Sequence, residues 1–516
     1  MNNGNEREIL QCRRLVTPHA ECKCEFSLPD YLGDVRKILL TDAHVRGAGR
    51  FADADGAEFP GIVVFDVVYL DADGEICSVS FNGDYDMRVK HTTENGAELF
   101  ADPEIDSYSI RLPGPRKLSA KAMLTGRAYV SEPLCHASSG TAFECERAPQ
   151  LRMEDVAFEG MRRSPTVERE YGELLTHLDG AIADEVRVMY PRAEVRLDTA
   201  VPTDEGALLK GEVRMSAIVK NGGEPAFCVT RSVPLEETVP FEITDGSELI
   251  GRAVVTSVSH SVNADDTGSE VVLSVIVELC ADELYNEQTS VIADAYMTEC
   301  VTENIYEDMD CTRFCGVHKE RLSCQGELAR TELDVLNLRE VVCMCASARV
   351  DSCEPEDGQV KVDGSVQFSG ICSTTLESGA ISYVGVKIDA PFTQNVKIDC
   401  QNTDKMIFEP CVSAHAASGA IDAEKVYASC DLTLEIRTAA SSSLRVLSTC
   451  NARTDLPFAK DGATVTVYYP DRGETLYSIA KRFHTTVASI AEKNSLSEAV
   501  MAGDTDAPLA DKLLIY

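Results

Sequence analysis

The sequence predicts a mainly β fold, with three tandem antiparallel β-domains followed by a small βααβ domain. Three observations carry this reading. An alternating apolar strand recurs three times at a long period, and a second alternating strand trails each copy at a nearly fixed distance. Past Arg453 the pattern switches to a strand, two helical stretches and a closing strand. A chain of 516 residues is also too long for one hydrophobic core, since domains hold about 100 to 200 residues.

The first alternating strand is Val63, Phe65, Val67, Tyr69; its counterparts are Val213, Met215, Ala217, Val219 and Val366, Phe368, Gly370, Cys372. Their leading valines stand 150 and 153 residues apart. Strict alternation gives one buried and one wet face, and Glu212, Arg214, Ser216 and Ser365, Gln367, Ser369 fill the wet face of the later copies. The second strand is Leu118, Ala120, Ala122, Leu124, then Val271, Leu273, Val275, Val277, then Val426, Ala428, Cys430, Leu432, Leu434. It starts 55, 58 and 60 residues past the leading valines. Two independent anchors at nearly one spacing predict three copies of one domain, at residues 1–150, 155–300 and 310–455. Ile76 to Phe81, Phe227 to Val233 and Ile381 to Ile388 are β-rich stretches between the anchors. Asp73-Gly74, Asn82-Gly83, Asn221-Gly222 and Asp357-Gly358 read as hairpin turns, whose central residues need positive φ.

Residues 464–516 form the last domain. Val465, Val467 and Tyr469 alternate as a strand, and Gly473-Glu474-Thr475 breaks it. Thr475 is an N-cap for a helix carrying Leu476, Ile479, Ala480 and Phe483 on one face. Thr486 caps a second helix with Val487, Ile490 and Ala491, which Asn494 ends in a left-handed conformation. Lys512-Leu513-Leu514-Ile515 closes the domain as a strand. So small a unit has little core, and each of these apolar side chains matters to it.

Composition narrows the partners. Lys plus Arg total 48 against 85 Asp plus Glu, a formal charge of −37, so nucleic acid and anionic membrane surfaces repel the chain. Residues 460–516 hold 6 basic and 8 acidic side chains, which leaves −35 on the first 459 residues. A basic partner suits that part better than a polyanion. Met1 to Arg14 is polar and lacks the apolar run of an export signal, and Ile62 to Leu70, interrupted by Asp66, is too short to span a membrane. These features predict a protein that stays in the cytoplasm. The 20 cysteines are scattered, and the close sets Cys22/Cys24, Cys311/Cys315 and Cys343/Cys345 lack the C-x₂-C spacing of zinc sites. They read as reduced, mostly buried thiols.

The run Val467-x₅-Gly473-Glu474-Thr475-Leu476-x₂-Ile479-Ala480-x₂-Phe483, then Thr486-Val487-x₂-Ile490-x₃-Asn494-x-Leu496 and Leu513-x-Ile515, resembles the LysM domain family. That resemblance implies a βααβ fold with a groove for N-acetylglucosamine-containing glycans. Its walls fall on Gly473, Glu474, Thr475 and Leu476 before the first helix and on Asn494, Ser495 and Leu496 after the second. Glu474 replaces the family's usual Asp, Ala510-Asp511 replaces its usual Pro-Gly, and Glu498 to Asp506 is an acidic insertion beside the groove. These departures favour a protein ligand over a glycan. Three β-domains ahead of one LysM unit also resemble the SipL-type scaffolds of the clostridial spore envelope. This second resemblance implies action in the mother-cell cytoplasm around the forespore. It also implies docking of the LysM unit on an ATPase of the spore-coat basement, stage IV sporulation protein A.

No motif for catalysis emerges. There is no G-x₄-G-K-[ST], no complete G-x-G-x-x-G near Gly47 and Gly49, no H-E-x-x-H and no G-x-S-x-G. Asp53-Ala54-Asp55-Gly56 and Asp71-Ala72-Asp73-Gly74 echo a calcium loop but lack its third and twelfth ligands, so turn chemistry explains them. No cofactor or metal is expected. The sequence therefore reads as a non-catalytic spore-envelope scaffold whose LysM unit docks on a coat-morphogenesis protein. The alternative is a peptidoglycan-binding wall or cortex protein. A third reading, a wall-active enzyme with a carboxylate pair assembled in space, has no motif of its own.

Overall fold

The structure is a computed structural model that describes residues 10–46, 49–53, 55–91, 97–133, 142–144, 148–333, 337–356, 358–398, 405–458, 465–496 and 512–515. The described residues are mostly strand, with two short α-helices among them, both past residue 475.

Eight strands come first: β1 (Leu10–Arg14), β2 (His19–Ser27), β3 (Val35–Arg46), β4 (Phe51–Asp53), β5 (Gly56–Asp71), β6 (Ile76–Lys90), β7 (Glu98–Gly114) and β8 (Lys117–Pro133). They make two antiparallel sheets. β8 is central in one, with β1 and β2 along one edge and β7 along the other. β5 is central in the second, between β6 and the pair β3 and β4. A short strand, β9 (Ala142–Glu144), follows. The next set is β10 (Gln150–Arg163), β11 (Val167–Asp179), β12 (Val186–Thr203), β13 (Gly206–Asn221), β14 (Phe227–Val239), β15 (Glu248–Ala264) and β16 (Gly268–Tyr296). It repeats the pattern, with β16 between β15 and the pair β10 and β11, and β13 between β12 and β14. The third set is β17 (Cys300–Ala329), β18 (Leu338–Glu356), β19 (Gln359–Thr375), β20 (Ile381–Lys397), β21 (Met406–Ile421) and β22 (Lys425–Pro457). β22 lies between β17 and β21, and β19 between β18 and β20. Here one strand, β17, runs where the earlier sets use two. β9 joins β22 in parallel, which ties the first connection to the third set.

Each set closes on its own core, and the alternating strands line it. Val63, Val213 and Val366 are all 0% exposed, on β5, β13 and β19. Facing them across the sandwich are the alternating residues of β8, β16 and β22, such as Leu118, Val271 and Val426. At three of the four expected places the glycine has positive φ, with Gly74, Gly222 and Gly358 at 85°, 49° and 80°; Asp73 and Asn221 do not, so the expectation of positive φ at both central residues fails there, and Asp357 lies outside the described residues. Asn82-Gly83 is a correction, for it lies inside β6 and makes no turn. A Cβ at Gly83 would come within 2.5 Å of the Cys22 sulfur, so this glycine serves close packing between the sheets.

The three sets share a further core. Val68, Ile218 and Ile371, each five residues past its leading valine, meet Leu39 and Leu40 of β3, Met189 and Tyr190 of β12, and Val342 and Cys343 of β18. A second junction is largely ionic. The Arg437 guanidinium of β22 donates to Glu159 of β10 at 2.5 Å and to Glu409 of β21 at 2.8 Å. Tyr129 of β8 donates to Glu409 at 2.8 Å. Nearby, Asp282 of β16 takes Arg163 at 2.6 Å and also pairs with Arg252, while Asp102 of β7 takes both arginines at 3.0 and 2.9 Å. Burial alone would raise the Asp282 carboxyl, but the two guanidiniums outweigh it and hold it near 2.

Candidate functional site

The last unit consists of β23 (Thr466–Tyr468), α1 (Leu476–Arg482), α2 (Val487–Asn494) and β24 (Leu513–Ile515), with β23 and β24 antiparallel. Its core joins Leu476, Ile479 and Ala480 of α1, Ile490 of α2 and Leu513 and Ile515 of β24. Both helices start as their capping residues require. Ser478 N donates to Thr475 Oγ1 at 3.2 Å while Thr475 N donates to Ser478 Oγ at 3.1 Å, a reciprocal box. Ser489 N donates to Thr486 Oγ1 at 3.0 Å. The first strand corrects the sequence reading: Val465, Val467 and Tyr469 are 41%, 51% and 68% exposed, and Tyr468 instead packs on the core.

The seven groove residues fall on two neighbouring rims with unequal freedom. Leu476 is buried in the core, and Leu496 packs against it. Thr475 is spent on the cap. Glu474 turns inward, accepting hydrogen bonds from Asp471 N at 2.9 Å and Tyr468 OH at 2.7 Å and pairing with Arg482 at 2.7 Å. These donors hold its carboxyl below the usual glutamate range. Asn494 remains helical. Its amide donates to the Ile490 and Leu514 carbonyls, both at 2.8 Å, and its oxygen accepts from Leu514 N at 2.7 Å. The left-handed residue is Ser495, with φ 54° and ψ 42°, one position later than Asn494. Gly473 has φ 89° and open space around it. The exposed parts of the rims are thus the Gly473 backbone and Ser495. Ala510-Asp511 and the whole acidic insertion, Glu498 to Asp506, lie outside the described residues.

Residues 471–504 match the LysM domain. No curated protein matches the chain. The LysM unit sits on the end of β16: Tyr296 OH donates to the Thr485 carbonyl at 2.8 Å, and Lys481 pairs with Asp294 at 2.5 Å. Tyr296 and Tyr477 meet edge to face, ring centroids 5.2 Å apart. Asp294 is itself held by Tyr306 OH at 2.7 Å and Asn304 at 3.1 Å. Sequence reasoning missed this seat. The signal available was Tyr477 and Lys481, four residues apart on α1.

Elsewhere, a cavity of about 860 Å³ lies where the three sets meet, lined in part by Arg127, Arg163, Arg252, Phe100 and Cys280. Within its wall Arg127 pairs with Glu104 and Arg163 with Asp102. Among the described residues no cluster of three or more His, Cys, Asp or Glu could hold a metal ion, and no helix is long and apolar enough to cross a membrane.

Proposed function

We propose that the chain is a non-catalytic peptidoglycan-binding protein, in which the LysM unit takes N-acetylglucosamine-containing glycan and the three β sets carry it. The observation behind this reading is the inward turn of Glu474. Its carboxylate is paired with the Arg482 guanidinium and accepts a hydrogen bond from Tyr468 OH, so it puts no free charge on the rim. The remaining surface, main chain at Gly473 and a hydroxyl at Ser495, suits the amide and hydroxyl groups of a neutral sugar. Glu474 therefore does not argue for a protein ligand, contrary to its reading as a departure in the sequence.

The test is calorimetric titration of the full chain with N-acetylglucosamine oligomers, with glucose oligomers as the control. Saturable binding at about micromolar Kd for the first and none for the second is expected. Heat from neither, or from both alike, overturns the reading.

A second reading rests on a different face. Val465, Val467 and Tyr469 form an exposed apolar stripe on β23 and its flanks, which suits a protein partner. In this reading the chain is a SipL-type scaffold in the mother-cell cytoplasm and the stripe meets the coat-basement ATPase. Binding of that ATPase, abolished by Tyr469→Ser together with Val467→Thr, would support it.

A further inference from the structure

We propose that Cys324 and Cys430 form a cross-strand disulfide when the chain folds in the presence of a small-molecule disulfide as oxidant. Among the described cysteines this is the pair that stands directly opposite in a strand ladder, Cys324 of β17 against Cys430 of β22. Opposed residues of an antiparallel pair share a face, with Cβ atoms about 4.5 to 5.5 Å apart. Both side chains enter the core of the third set, at 5% and 3% exposure. A disulfide needs Cα atoms about 4.4 to 6.8 Å apart and Cβ atoms about 3.5 to 4.5 Å apart, so the ladder supplies the first and a small approach gives the second.

The fold itself does not demand thiols here. The equivalent places in the other sets hold Cys22 opposite Ala122 and Tyr171 opposite Val275. Two cysteines facing each other are thus a choice particular to the third set. The segment between them contains all of β18 to β21, so the bond would close a loop around four of that set's six strands. Long loops are where such a closure most restricts the unfolded chain.

The chemistry is thiol–disulfide exchange. One cysteine thiolate attacks oxidised glutathione, a mixed disulfide forms and one glutathione thiolate leaves. The second cysteine thiolate then attacks the protein sulfur of the mixed disulfide and expels the second glutathione. The protein loses two electrons and two protons, and the oxidant is reduced to two thiols. Burial pushes the Cys430 thiol up to about 12 and raises Cys324 as well. Exchange therefore runs before the sandwich closes, and the finished core shields the bond from reductant.

The experiment refolds the full chain from its reduced, denatured state in oxidised or in reduced glutathione. The chain is then quenched with N-ethylmaleimide under denaturing conditions and its peptides are mapped without reduction. In the oxidised arm the Cys324 and Cys430 peptides should appear joined and lighter by two hydrogens than their sum; in the reduced arm both should carry maleimide. Recovery of both as maleimide adducts from folded, oxidised protein overturns the proposal, as does either one joined to another cysteine. Cys430→Ala, which places there the residue found at 122, should keep the fold and leave Cys324 labelled in both arms. The oxidised wild type should also melt above the reduced form, with no such difference in Cys430→Ala. A difference that persists in the variant counts against the pair.

Discussion

The three-set body and the LysM unit spend their polar side chains in opposite ways. In the body, charges from distant parts of the chain are drawn into the junctions, where Arg437 serves Glu159 and Glu409, at 2% and 6% side-chain exposure. In the LysM unit, Lys481 on Asp294 apart, the polar side chains named are consumed locally, by Thr475 and Thr486 as caps, Asn494 as a clamp and Glu474 as a brace. A buried ion pair joins parts that could otherwise separate, whereas a local clamp fixes a loop and frees its main chain for a ligand. The body therefore reads as one closed object instead of three beads, and the LysM unit as a small rigid rim seated on it.

The largest effect should come from breaking a junction. Arg437→Leu leaves two carboxylates buried without their cation and is expected to cost about 3 to 5 kcal/mol in urea unfolding. Adding Glu159→Gln and Glu409→Gln should recover much of it. If Arg437→Leu were neutral, the junction would not hold the sets together.

Next in size is Ile479→Ala. Ile479 is 0% exposed in the LysM core, and its truncation should cost about 3 kcal/mol. Calorimetry should show an earlier transition for the LysM unit alone, with the body's unmoved. A shift of both would mean that the seat on Tyr296 couples them more tightly than this comparison holds.

A pH series sharpens the account of the body. Burial, with Asp42 beside it, raises the Asp66 carboxyl to about 6 from an unfolded value of 3.8; Arg192, Arg46 and Ser80 oppose the rise, and His44 lies 3.6 Å away. A raised carboxyl means the folded state holds the proton more tightly. The Asp66 contribution to stability should therefore increase as pH falls from 7 through 6 toward 4, with Glu159, also raised, working in the same direction, while His44, His260, His415 and His484, whose charged forms burial disfavours, work against it. Below about 4 the sign reverses as Asp282, held near 2, starts to lose its contribution. Asp66→Asn should gain about 2 kcal/mol at pH 7 and flatten the upper part of the curve, read from urea midpoints at each pH. An Asp66→Asn variant whose midpoints change between pH 7 and 5 just as the wild type's do would contradict this.

The smallest effect belongs to the cap. Thr475→Ala removes one half of the reciprocal box and should lower the LysM transition by about 1 kcal/mol, with Thr475→Ser close to wild type. Equal losses in both would mean the methyl group, and not the hydroxyl, is what matters there.

The sandwiches were legible because one face of each central strand is wet, so Val63, Val213 and Val366 announce a period of two. The shared core was not, since it buries the other face: at Val67-Val68, Ala217-Ile218 and Ile371-Cys372 the alternation gives way to adjacent apolar residues. That doubling was the missed sign. The ionic junction has no local signal, because Glu159 and Arg437 are 278 residues apart. In the LysM unit the helix caps were readable from Thr475 and Thr486. The facing of β23 was not, since Tyr468 and Tyr469 offer an aromatic to either side and packing on Phe483 selects Tyr468. Likewise a left-handed end was foreseen but placed at Asn494, whose side chain instead gains three hydrogen bonds by staying helical.

The most direct test of the account is hydrogen exchange on the full chain with and without an N-acetylglucosamine oligomer. Protection is predicted on peptides covering Gly473 to Leu476 and Asn494 to Leu496, with Val465 to Tyr469 and the body unchanged. Ser495→Arg, a bulky change on an exposed rim residue, should abolish that protection while the unit stays folded. Protection confined to Val465–Tyr469, or no protection at saturating oligomer, would contradict the claim that the LysM rim is a glycan site.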